Sequence, residues 1–246
     1  MADSGPPLLV AGVDGCKEGW ICVVFPLDRP AEARSLRVEH FRDLLELDPA
    51  PAVIAVDMPI GLPDRLTPKG RGPEQAVRPL LGARQSSVFT VPSRGAVFCD
   101  DYRAACDVAL ATSEPPRKVS KQCFHLFPKI RELDALMTPQ REAQIYEAHP
   151  EVAFWRLNGD APMSLPKKVK GAANGPGLDQ RAALLVSHGY SQAFLDAARP
   201  KGVGRDDLLD AAVNGLVAQR IVKGEALPFP DPFERDGKGL RMAIWA

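Results

Sequence analysis

The chain has 246 residues, with 31 basic and 31 acidic side chains, so its formal net charge is zero. Hydrophobic residues make up 45% and charged residues 25%, the balance of an ordinary water-soluble globular protein with enough length to bury a sizeable core. Neutrality excludes a polybasic nucleic-acid coat and an acidic disordered tail, but not a local basic groove.

The charge is unevenly spread. Residues 1–60 carry 5 basic and 10 acidic groups, residues 61–130 carry 11 and 6, and residues 162–181 carry 4 and 1. An acidic opening is thus followed by a basic insert and a short basic loop. Cys16, Cys22, Cys99, Cys106 and Cys123 form no C-x-x-C pair, which gives zinc and thioredoxin chemistry no support. Met1 to Pro7 has neither a basic leader nor a long apolar core, and the expectation is a reducing, cytoplasmic protein without a membrane span.

Leu8–Asp14 reads as an apolar strand ending in Asp-Gly, and Trp20–Pro26 as a second, joined through the turn residues of Gly15–Gly19. Arg34–His40 alternates as a third strand. Phe41, Leu44 and Leu45 give His40–Leu47 a helical spacing. Ala52–Val56 is wholly apolar, which predicts a strand buried on both faces. Residues 59–116 are irregular and rich in Pro, Gly, Arg and Ser, the composition of a long functional loop. Helices follow over Tyr102–Ala111 and over Val119–Leu136, the latter interrupted near Pro128. Gln140–Glu147 fits a helix and Ile145–His149 equally fits a short strand. Glu151–Leu157, Leu178–His188 and Ser191–Ala198 read as helical, and Lys167–Gly177 as a basic, glycine-bearing loop. Asp206–Lys223 is the clearest helix, with an N-capping Asp206, no proline, and Gly224 just past its end. Prolines in 226–232 suggest a turn-rich loop.

Acidic side chains stand at the ends of these elements. Asp14 closes the first strand and Asp57 the fourth, although each also fits an ordinary turn. Glu147 and Glu151 flank His149-Pro150. Asp207 and Asp210 share one side of the last helix, and Asp207 also suits the helix dipole. Asp210 lies in line with Val213, Val217 and Ile221, so its carboxylate is partly desolvated and needs a partner. Carboxylates converging at strand ends hold oxygen-preferring Mg2+ or Mn2+, and paired ions clamp the oxygens of a phosphodiester. His149 fits a general base, a ligand or a packed histidine. Arg84, Ser86 and Ser87 fit a phosphate site or a loop network. Lys167 and Lys168 fit a solvated loop or a track for a phosphate backbone.

Three strands, a helix and a strand, with Asp ending the first and fourth strands and D-x-x-D on a late helix, resemble a ribonuclease H-like fold. Asp207-Leu208-Leu209-Asp210-Ala211 is similar to the closing aspartate pair of the Holliday-junction resolvases of that superfamily. The whole chain more closely resembles the domain of unknown function 429 family, described as predicted nucleases. The matching segments are Gly12-Val13-Asp14-Gly15-Cys16-Lys17, Asp57 to Pro63, Arg84 to Phe89, Glu147 to Phe154, and Asp206 to Ala211. Glu18 in the first turn and the long insert before Tyr102 depart from the pattern.

The resemblance implies an α/β domain spanning residues 1–246. Its mixed sheet would have three antiparallel strands followed by parallel ones, flanked by helices, with an insertion over about 59–140. It further implies a metal-dependent nuclease. Asp14, Asp57, Asp207 and Asp210 would be metal ligands for Mg2+ or Mn2+, Glu151 and His149 would join them in catalysis, and Arg84, Ser86, Ser87, Lys167 and Lys168 would meet nucleic acid. Two other expectations stay open, a small-molecule phosphotransferase of the actin and sugar-kinase type and a non-catalytic binding module. The oligomeric state is open, a homodimer included.

Overall fold

A computed structural model describes residues 7–68 and 70–246, so the reading of the extreme N-terminus lies outside the described residues apart from Pro7. Five strands form the central sheet: β1 (Leu9–Cys16), β2 (Gly19–Pro26), β3 (Arg34–Val38), β4 (Val53–Val56) and β5 (Ile145–Glu147). Their order is β3-β2-β1-β4-β5. β2 runs antiparallel to β1 and β3, while β4 is parallel to both β1 and β5. The sheet is therefore mixed, and its wholly buried β4 is a central strand, as the unbroken apolar run predicts.

Between β4 and β5 lie five short helices: α1 (Gly72–Val77), α2 (Arg94–Val97), α3 (Tyr102–Ala111), α4 (Lys121–Phe124) and α5 (Phe127–Leu136). After β5 come α6 (Pro150–Leu157), the two-residue strands β6 (Lys168–Val169) and β7 (Ala172–Ala173), then α7 (Gly175–Ser187), α8 (Gln192–Asp196) and α9 (Arg205–Val222). A hairpin of β8 (Pro228–Arg235) and β9 (Arg241–Trp245) ends the chain.

Side-chain alternation divides the core between the two faces of the sheet. Leu9, Ala11 and Val13 of β1 pack with Phe41, Leu62, Phe127 and Ile130 on one face. Val10 packs with Phe154, Leu185, Val213 and Val217 on the other. α9 is buried from Leu208 through Ala218, so it is the central helix of that second layer rather than a surface helix with one apolar stripe. No helix among the described residues is long and apolar enough to cross a membrane. All five cysteines are free thiols.

Several local expectations need correction. His40–Leu47 forms only a 3-10 turn over Phe41–Leu44, because burying Phe41 and Leu44 takes a single turn and Asp43 closes it on the His40 amide at 3.1 Å. The predicted long helix breaks into α4 and α5 at His125–Leu126, while Pro128 sits in the first turn of α5, where its missing amide costs no hydrogen bond. The Lys167–Gly177 loop holds the small β6–β7 ladder. Pro228, Pro230 and Pro232 do not make a loop: they lie in β8, which among the described residues pairs with β9 alone, and an edge strand tolerates missing amides. Gly204, not Asp206, caps α9, and the Asp207 carboxylate accepts its amide at 2.9 Å.

Candidate functional site

β1 and β4 set the first two carboxylates side by side. Val13 is the register partner of Val56, and the Asp57 amide donates to the Val13 carbonyl at 3.0 Å. Asp14 and Asp57 therefore occupy the next rung. Asp14 lies inside β1 opposite Ile21 rather than at its end, because the strand continues to Cys16 and the hairpin tightens to Lys17–Glu18. Its Oδ1 also accepts the Gly15 amide at 2.7 Å, so the turn and site readings of this residue coexist.

The third carboxylate arrives through a backbone contact. A Cβ on Gly12 would meet the Gly215 amide at 2.0 Å and the Ala211 carbonyl at 2.1 Å, so only glycine allows α9 to lie this close to β1. One turn before Gly215, Asp210 is held at 3% exposure above the strand that carries Asp14. Asn214, fully buried, donates to the Val13 carbonyl at 3.1 Å and fixes the rotation of the helix.

The buried Asp14 and Asp210 and the half-buried Asp57 thus act on one another. Burial raises the pKa of each, and each is coupled to at least one other acid: Asp57 and Asp210 push up Asp14, Asp57 pushes up Asp210, and Glu151 pushes up Asp57. Asp57 and Asp210 reach about 6, and Asp14 rises well above the carboxylate range. The cation that opposes them is Lys167, whose Nζ donates to Asp210 Oδ2 and whose own pKa Asp210 and Glu151 push up against the cost of burial. Asp210 Oδ1 has no hydrogen-bond partner. A buried carboxylate oxygen without a donor is costly.

A cleft of about 360 Å3 opens beside this cluster, lined by Asp57, His149, Glu151, Lys167 and Lys168 and by the loop bearing Arg84, Ser86 and Ser87. His149 Nε2 lies 3.4 Å from the Ser87 carbonyl and its Nδ1 has no partner. Burial and Lys167 both lower its pKa, so the imidazole is neutral near pH 7. Ser87 Oγ is also without a partner. Arg84 donates to the Ser164 carbonyl at 3.3 Å, and Lys168 pairs with Asp206 at 2.7 Å.

Other predicted residues have definite partners. Glu151 forms a two-pronged pair with the fully buried Arg181 at 2.6 and 2.8 Å. Glu147 accepts the Ile60 amide at 2.8 Å and binds Arg71 at 2.6 Å, and Arg71 also holds Glu74. Cys123 is buried in the core while its neighbour His125 is not. The tryptophans lie apart, Trp20 against Phe41, Trp155 against Phe229 and Trp245 against Tyr146.

Sequence reasoning missed Asn214, Arg71, Arg181 and Lys129, whose Nζ donates to the Gly19 carbonyl at 2.5 Å and sits 4.6 Å from the Trp20 ring centre. Only Asn214 carries a local signal, a polar residue one turn after Asp210 within an otherwise apolar helix.

Among the described residues no three His, Cys, Asp or Glu side chains form a closed metal-holding group. The donor set does fit a hard cation of another kind. Mg2+ keeps most of its waters and takes one or two carboxylates together with substrate phosphates, and the orphaned Asp210 Oδ1 offers such an oxygen.

The model of the family described as "Protein of unknown function (DUF429)" matches residues 12–235, and the chain belongs to that family. No curated protein and no solved structure matches the chain.

Proposed function

We propose that this DUF429 chain is a metal-dependent phosphodiester hydrolase of ribonuclease H-like architecture, acting on nucleic acid. The sheet order β3-β2-β1-β4-β5, with β2 alone reversed, supports the architectural reading. The observation that carries the functional reading is the unbalanced cluster: Asp14, Asp57 and Asp210 act on one another, Lys167 opposes them, and Asp210 Oδ1 lacks a donor. Like charges held together out of water favour an added cation.

A divalent cation held through Asp210 Oδ1 and one neighbouring carboxylate, Asp14 or Asp57, would lower the pKa of a bound water and offset charge on the phosphoryl oxygens. The chain's own residues do the rest. Neutral His149, facing the same cleft, accepts the proton of the attacking water. Lys167, Lys168 and Arg84 present positive charge to the phosphate, and the Ser86 and Ser87 hydroxyls offer donors. Asp207 sets the start of α9, which carries Asp210. Glu151, through Arg181, fixes α6 against α7 at the cleft wall.

Mn2+-dependent cleavage of labelled DNA and RNA by wild type, Asp14→Asn and Asp210→Asn tests the reading, with circular dichroism to establish folding. Both variants should fold and neither should cleave. Wild-type rates in both would refute the assignment.

One observation favours a second reading, a non-catalytic module: Lys167 already gives Asp210 an internal counter-ion. Calorimetry separates the two, since this module would show no Mn2+ binding that depends on Asp14 or Asp210. The phosphotransferase alternative has no comparable support. Its second Asp-Gly, Asp236-Gly237, lies between β8 and β9, where Asp236 pairs with Arg94 at 2.5 Å and accepts the Leu62 amide at 3.0 Å.

A further inference from the structure

One cavity has none of Asp14, Asp57 and Asp210 in its lining. It measures about 620 Å3 and lies within the segment between β4 and β5. No acidic side chain lines it, whereas Arg78, Arg117 and Lys118 do. Its volume falls inside the range of roughly 300–1,000 Å3 typical of sites that engulf small molecules. That volume is large enough for unpaired nucleotides.

Its cations are placed for an anion. Arg78 is oriented by hydrogen bonds from its Nε to the Val88 carbonyl at 3.1 Å and from its Nη2 to Thr90 Oγ1 at 2.9 Å. Burial pulls the Arg78 pKa down; Glu74 opposes this and Arg117 adds to it, so the two guanidinium groups feel each other's charge. Glu74 is itself engaged by Arg71. Arg117 and Lys118 are exposed, and neither has a carboxylate partner among the described residues. The exposed charges of Arg117 and Lys118 at the edge of the cavity favour a bound polyanion.

The cavity adjoins the carboxylate cleft, since Ser86, Phe89 and Gln122 line both. Phe89 is half-buried against the core and lines both spaces, where an aromatic side chain can stack a base. Asp57 lines one of these neighbouring spaces, and Arg117 and Lys118 line the other.

We propose that this basic cavity holds the backbone of a single-stranded nucleic acid. A base stacks on Phe89, and the adjoining phosphates lie on Arg78, Arg117 and Lys118. The inference rests on the phosphodiester reading of the neighbouring cleft and specifies its substrate as an unpaired strand. The ligand chemistry, a chain of phosphodiesters bearing stackable bases, is shared by DNA and RNA.

The test is equilibrium binding of fluorescent oligo-dT and oligo-rU, each of about 12 nucleotides. Anisotropy is read in EDTA across a salt series, so that cleavage plays no part. The probe variant is Arg117→Glu/Lys118→Glu, both surface positions outside the carboxylate cleft. The control, Arg34→Glu/Arg42→Glu, makes the same charge change on and just after β3, the strand at the far edge of the sheet.

The probe variant should bind on the order of tenfold more weakly. Its slope of log affinity against log salt should fall by roughly 1 to 1.5, since each lost single-strand phosphate contact removes about 0.7. The control should match wild type. Unchanged affinity and slope in the probe variant would overturn the inference, as would an equal loss in the control or no binding of either oligonucleotide by wild type. Equal affinity for inorganic phosphate or a dinucleotide would also overturn it, by reducing the cavity to an isolated anion site. Mn2+-dependent cleavage is scored separately. Binding that needs Arg117 and Lys118 in a protein that never cleaves would remove the hydrolase reading alone, and cleavage with unaltered binding in the probe variant would remove this inference alone.

Discussion

Two sets of carboxylates lie close together in this protein and differ in what faces them. Glu147 and Glu151 each meet a buried guanidinium, Arg71 and Arg181, at 2.6 Å. Asp14, Asp57 and Asp210 meet the ammonium of Lys167, and one oxygen of Asp210 meets nothing. Burial alone therefore does not mark a site: burial pushes Glu147 up to about 7 although Arg71 opposes it. The first set has one guanidinium touching both oxygens of each acid, and the second has one ammonium among three acids.

The largest expected effect breaks the first set. Arg181→Met would leave Glu151 buried and uncompensated, at a cost of about 3–5 kcal/mol in urea unfolding, and Glu151→Leu in the same chain should restore much of it. A loss below about 1 kcal/mol would mean that the pair does not anchor α6 to α7. Asp210→Asn, in the second set, should do the reverse. Activity should fall on the order of 10²–10³-fold while stability stays within about 1 kcal/mol of wild type, because a desolvated charge is removed and Lys167 can still reach water.

Divalent metal should discriminate between the sets more gently. Mg2+ or Mn2+ at about 100 times its dissociation constant should stabilise wild type by about 2.7 kcal/mol, read as a rise in melting temperature. Asp14→Asn/Asp210→Asn should show no such rise, and Arg117→Glu/Lys118→Glu should keep it. An equal rise in all three proteins would place the ion elsewhere.

The pH dependence sharpens the same contrast. The folded pKa values of Asp57 and Asp210, about 6, lie above the unfolded 3.8. In that interval the folded state binds more protons than the unfolded one, so the contribution of these groups is complete below about 3.8 and is lost as the pH rises through about 6. The groups that face them are Asp14 on β1, Glu151 on α6 and Lys167 beside β6. Metal-free wild type should therefore lose stability relative to Asp210→Asn between pH 4 and 6. A difference that stays constant with pH would show that Asp210 ionises as freely as in the unfolded chain. The smallest effect is expected at Asp207→Ala, about 1 kcal/mol from the lost cap on Gly204, measured by thermal melting.

The fold was legible in proportion to how local its signals are. β1, β2, β3 and β4 follow from apolar runs and alternation over a few residues, and α9 from an uninterrupted helix ending before Gly224, which adopts φ +70°. β8 was hidden because its prolines read as a loop, and only pairing with β9 reveals an edge strand. The same holds for the candidate site. Asp14, Asp57 and Asp210 stand out as acids attached to apolar elements, a pattern any reader of the sequence can find. The equally conspicuous Glu147 and Glu151 cannot be separated from them on that basis. Lys167 reads in the sequence as part of a solvated loop or as a phosphate contact, and its ion pair with Asp210 shows only in the folded chain.

By itself, then, the sequence determined the sheet's apolar strands, the central helix and the set of acids attached to them, because hydrophobic periodicity acts over a few residues. Tertiary structure decided which cation each acid meets. Arg71 lies 76 positions from Glu147 and Arg181 lies 30 from Glu151, distances over which no local pattern selects a partner. It also decided where the excess basic charge of residues 61–130 goes, bringing Arg78, Arg117 and Lys118 to one cavity beside the carboxylates. A neutral total says nothing of this, because electrostatic work depends on where charges stand and how far each is removed from water.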